Sequence, residues 1–139
     1  MIDRELVDKK LNQIIEYVEE LKPFIDQFSV EDILTDNFKY HTAERLFQLV
    51  VDTMVDINIH LIKNNSLGAP DDLQSTFLML GKSKTLSSDF SFKIAPIVGL
   101  RNRIVHKYDS LNKSQFIEEL KKNYPDFKEY LLEIKKYLG

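Results

Sequence analysis

An all-α fold, an antiparallel bundle of helices, is what this 139-residue sequence predicts, and three observations carry the prediction. Apolar residues recur at three- and four-residue intervals through most of the chain, the spacing that lines one face of a 3.6-residue helix. Gly and Pro number only four each, too few for a turn-rich β architecture. No segment alternates apolar and polar residues with the period of a half-buried strand. At this size a chain buries about two-thirds of the surface its unfolded form exposes. Residues 1–139, with no internal repeat or linker, are therefore expected to form one domain.

The first helix is predicted from about Asp3 to Gln27, with Leu6, Leu11, Ile14, Ile15, Val18 and Leu21 on its apolar face. Ser29, followed three residues later by Asp32, reads as the N-cap of a short helix ending near Asp36. A long helix from about Asn37 to Lys63 carries two apolar stripes: Leu46, Val50, Met54, Ile57 and Leu61 form one, and Val51, Val55, Ile59 and Ile62 the other. Such a helix must be covered twice, by its own bundle or by a second subunit, and the pattern does not choose between them. After the break from Asn64 to Pro70 a short helix spans Asp71 to Leu80. Ser88 and Asp89 then start a helix running toward His106, in which Pro96 and Gly99 predict a kink or break. The last helical region spans about Lys113 to Leu138 and is interrupted near Tyr124 and Pro125. Phe116, Ile117, Leu120, Phe127, Leu131, Leu132, Ile134 and Leu138 are expected to face inward. Phe24, Phe28, Phe47, Phe77, Phe90 and Phe92 read as core aromatics.

Composition narrows the function. The absence of cysteine excludes a disulfide framework and a thiolate zinc site. No apolar run approaches the length of a membrane span, and the amino terminus is charged where a signal peptide is apolar, so a cytoplasmic protein with no membrane role is expected. Gly-rich phosphate loops and nucleophile elbows are missing from the sequence, and no cofactor is expected. Asp52, Asp56, His60 and Lys63 form a polar strip on the long helix; without a further convincing ligand the expectation is no metal. His41, near Tyr40, Glu44 and Arg45, reads as a surface residue. The net charge is −3, yet it is unevenly spread. Lys82, Lys84, Lys93, Arg101, Arg103 and Lys107 stand against Asp89 alone between residues 82 and 107, a net +5 that leaves −8 on the rest. A basic segment on an acidic body can mark a face for anions.

That segment ends in Arg101, Asn102, Arg103, Ile104, Val105, His106, Lys107 and Tyr108. Arginine supplies permanent charge in a planar fork matched to phosphate oxygens. Histidine titrates near neutrality and can move a proton to or from a ribose hydroxyl or a leaving oxygen. Asn102 and His106, four residues apart, share a helix face. Arg101 and His106 lie about 140° apart on an ideal helix, so bringing them together requires an altered helix end or a second copy of the chain. By spacing alone the same residues also suit an ordinary helix C-terminus, whose dipole favours cations.

The stretch from Arg101 through Asn102 and His106 to Tyr108 resembles the R-x4-H-x-Y motif of HepT-like toxins of the HEPN superfamily, in its RN-x3-H form, and the preceding Ile94 to Leu100 resembles the family's run-in. The resemblance implies a HEPN-like bundle acting as a homodimeric, metal-independent endoribonuclease on RNA, with paired motifs lining a cleft. It implies that Arg101 stabilises charge on the reacting phosphate, that His106 transfers protons and that Asn102 positions His106 or a phosphate. Arg103 and Lys107 become candidate RNA contacts, and Asp56 a candidate for orienting the arginine or histidine. A nucleotidyltransferase antitoxin, MntA-like, is the implied partner, silencing the toxin by adding AMP to Tyr108. A non-catalytic HEPN module that binds and regulates such a nucleotidyltransferase is the alternative.

Overall fold

The computed structural model describes residues 2–106 and 112–139. Among them lie seven helices and no strand: α1 (Arg4–Asp26), α2 (Val30–Leu34), α3 (Asn37–Asn64), α4 (Leu73–Lys82), α5 (Ser88–Ile94), α6 (Ile97–His106) and α7 (Lys113–Leu138). Short polar side chains start most of them by accepting backbone N–H groups that a first helical turn leaves unbonded. Asp3 accepts from Leu6, Asp36 from Phe38 and Lys39, Ser87 from Phe90, and Asn112 from Gln115. Reciprocal capping boxes join Ser29 to Asp32 and Asp72 to Ser75.

Helix α3 is the axle of the bundle. Val50, Val51, Met54, Ile57, Leu61 and Ile62 are all essentially inaccessible, and α1, α2, α4 and α6 pack around it. Helix α7 adds aromatic contacts, with Phe47 against both Phe116 and Phe127. The two apolar stripes are thus covered by helices of the same chain. A buried hydrogen-bond chain ties three helices together: the Tyr130 hydroxyl of α7 donates to Asn58 Oδ1 of α3 at 2.7 Å. Asn58 Nδ2 donates to Thr76 Oγ1 of α4 at 3.1 Å, and Thr76 donates to the Leu73 carbonyl. Burial pushes the Tyr130 phenol well above its ordinary pKa.

Several local expectations change. Helix α7 runs unbroken through Pro125, although a proline inside a helix costs about 3 kcal/mol. Contacts on both sides hold it: Lys121 Nζ donates to the Ile25 and Phe28 carbonyls at the end of α1, Tyr124 donates to the Val18 carbonyl, and Phe127 is fully buried. Leu132 and Phe92 are exposed, because Tyr130, Leu131 and Ile134 take the inward positions of α7, and Phe90, Ser91 and Ile94 those of α5. Val7, rather than Leu6, faces the core at the start of α1. The anticipated break at Pro96 is present: α5 ends at Ile94 and α6 begins at Ile97.

Candidate functional site

Because the chain restarts after Pro96, α6 is a separate ten-residue helix. Val98, Leu100 and Ile104 are buried and anchor it. Arg101 and Asn102 lie half-buried at its edge, while Arg103 and His106 are exposed. The side chain of Arg101 crosses to α3, where its Nε donates to Asp52 Oδ1 at 2.7 Å. Its Nη1 donates to Asn102 Oδ1 at 3.2 Å. These contacts use two of the five N–H donors of a guanidinium. The Arg101 side chain retains 19% of its exposure, so the fork is oriented by a carboxylate while still reachable from solvent. A charge-assisted bond of this length also holds the planar group in one setting, which suits it to a phosphate.

The carboxylate that meets Arg101 is Asp52, one turn before Asp56. Asp56 instead forms an ion pair with Lys10 of α1 at 3.2 Å, and His60 Nε2 accepts the Asp3 backbone N–H at 3.1 Å. The polar strip of α3 therefore divides among three different partners, and among the described residues no three His, Asp or Glu side chains gather as a metal site would need. His41 is an exposed residue whose Nδ1 lies 3.2 Å from Glu44 Oε1. Lys107 and Tyr108 fall outside the described residues. Helix α6 remains a regular α-helix up to His106, so the angular separation of Arg101 and His106 is not removed by distortion before that point. Spacing could place Asp52 and Asp56 on one strip, but the axial offset between α3 and α6, which selects Asp52, comes from packing.

The all-helical bundle is the fold of the HEPN toxins. A tri-AMPylated HEPN toxin of Shewanella oneidensis, solved in complex with an MNT antitoxin, matches with a TM-score of 0.86 over 98% of this chain and 99% of that one, at 22% identity. A chain of a toxin-antitoxin structure with AMP-PNP matches with a TM-score of 0.87 over 96% and 99%, at 20% identity.

At the sequence level, the ribonuclease HepT-like family model matches residues 14–134. The tRNA nuclease HepT of Aphanizomenon flos-aquae is 31% identical over 137 residues, 99% of this chain and 92% of that protein. The mRNA nuclease HepT of Shewanella oneidensis is 27% identical over 88 residues, 63% and 66% of the two chains. The chain belongs to the HepT-like ribonuclease family. Among the described residues no helix is long and apolar enough to cross a membrane.

Proposed function

We propose that this protein is the toxin of a toxin-antitoxin pair, a single-domain endoribonuclease that cleaves RNA without a metal ion. The observation that carries the reading is the clamped arginine: Asp52 and Asn102 both bond Arg101, fixing a permanent cation where a phosphate could meet it. Charge that develops on a phosphate in the transition state is stabilised most by groups already oriented toward it. His106, exposed at the end of the same helix, would move the proton between the ribose hydroxyl, the leaving oxygen and water. Arg103 and Lys107 would contact the flanking backbone, whose phosphates dominate nucleic-acid affinity.

The angle of about 140° between Arg101 and His106 on a regular helix favours a homodimer in which each reacting phosphate is served by motifs from two copies. A nucleotidyltransferase antitoxin of the kind found with the HEPN toxin neighbours would silence the enzyme by placing AMP on Tyr108. The adduct would add bulk and negative charge beside an RNA-binding groove, repelling the substrate backbone. The deciding experiment is cleavage of total cellular RNA by purified protein in excess EDTA. Wild type should degrade RNA under these conditions; His106→Ala and Arg101→Ala should each lose at least about 100-fold in rate, the lower range for removing a general acid-base group and an oriented charge-stabilising group respectively. Equal rates for wild type and His106→Ala would remove histidine from the mechanism.

A further inference from the structure

A groove separates α6 from α7. Its accessible apolar lining is Pro96 and Ile97, with Phe47, Leu100 and Phe127 buried behind them, and its volume is about 180 Å³. An apolar cavity of about 150 Å³ accommodates a benzene-sized ring, so the groove is on the scale of one nucleobase.

The α7 wall is polar in a way that packing does not require. Glu119, Asn123 and Asp126, at successive turns, all line the groove. Asp126 is only 7% exposed, and its Oδ1 meets Lys93 Nζ at 3.2 Å, although the Lys93 side chain is 66% exposed. Keeping a carboxylate that deeply buried beside apolar side chains, with a solvated lysine as its ion-pair partner, is unfavourable compared with an apolar residue of similar size. Arg103 lines the groove from α6. Three residues from His106, it is that residue's neighbour on the helix surface, about 5–6 Å away between Cβ atoms.

We infer that this groove is a base-recognition subsite for the RNA nucleotide adjoining the cleaved phosphate, and that it selects guanine; the inference rests on the ribonuclease reading above. A base lifted out of its stack is read along its Watson–Crick edge while its faces lie against aromatic and apolar side chains. Carboxylates only accept hydrogen bonds. Guanine presents two adjacent N–H donors, at N1 and N2, that match a carboxylate's two oxygens, and its O6 can accept from the Asn123 amide or the Lys93 ammonium. Uracil presents one donor between two carbonyls, which carboxylates repel. With the base in the groove, Arg103 stands beside its phosphate and His106 is the next side chain along.

The test uses short oligoribonucleotides that differ only in the base on either side of one cleavage point, together with GMP, AMP, CMP and UMP as probes followed by amide NMR shifts. Wild type should cleave next to guanine at least about tenfold faster than next to uracil, the discrimination expected of one good bidentate base contact. Asn123→Ala and Glu119→Gln should bring that ratio toward one with unchanged thermal midpoints, and GMP should shift amides of α6 and α7 in wild type only. Equal rates for all four bases, or a guanine preference that survives in both variants, would overturn the subsite while leaving the ribonuclease reading intact. If the protein cleaved no RNA yet GMP still shifted these amides and the variants abolished the shifts, the subsite would stand and the ribonuclease reading would fall.

Discussion

Arg101 owes its setting to one carboxylate from a helix almost fifty residues earlier. The bond from its Nε to Asp52 spans 2.7 Å between two incompletely buried side chains, so its value lies in orientation more than in stability. Asp52→Asn keeps the shape and an acceptor but removes the charge that holds the fork. It should lower the cleavage rate by about 10- to 100-fold, the effect of a displaced positioning group, and by more than Asp56→Asn, whose parent side chain pairs with Lys10. Single-turnover assays with saturating protein would measure both, and equal losses would deny Asp52 this role. A local motif resemblance singles out Arg101, Asn102 and His106, since their spacing alone equally suits an ordinary helix C-terminus. The choice of Asp52 over Asp56 was not legible in the sequence, since it depends on how far α6 is displaced along α3.

Helices were the most legible level, because periodicity and capping are local too. Asp36 before a 28-residue amphipathic run gives α3, and Pro96 separates α5 from α6. Illegible were the places where tertiary contact overrules a local signal, as at Pro125, held in α7 by bonds to α1. The close approach of α4 and α5 is another such feature: a Cβ added at Gly81 would collide with the Cβ and hydroxyl of Ser91. That serine has little freedom, being buried and bonded to the Ser88 carbonyl. Gly81→Ala should therefore destabilise the fold by about 1–3 kcal/mol through overpacking, even though alanine is the better helix former. Urea unfolding followed by circular dichroism would show it, and a stabilised variant would mean that α5 can shift aside freely.

At the scale of the molecule, the chain from Tyr130 through Asn58 to Thr76 joins α7, α3 and α4 across residues far apart in sequence. Tyr130→Phe would leave the Asn58 oxygen buried without that donor, a loss of about 1–3 kcal/mol, and the denaturant midpoint should fall with an unchanged slope. A changed slope would point instead to a looser native state. No single residue in this chain advertises it, because polar residues on otherwise apolar faces announce burial only once their partners are known. The position of α3 at the centre has a further consequence. Thirteen buried side chains hold α3, while three hold α6, so local opening, which costs least where burial is sparse, separates the two halves of the site in time. Amides of α3 around Asp52 should therefore exchange with solvent more slowly than those near His106 at the tip of α6. Asp52 is thus a fixed post against which Arg101 and His106, both carried by α6, settle each time that helix re-forms.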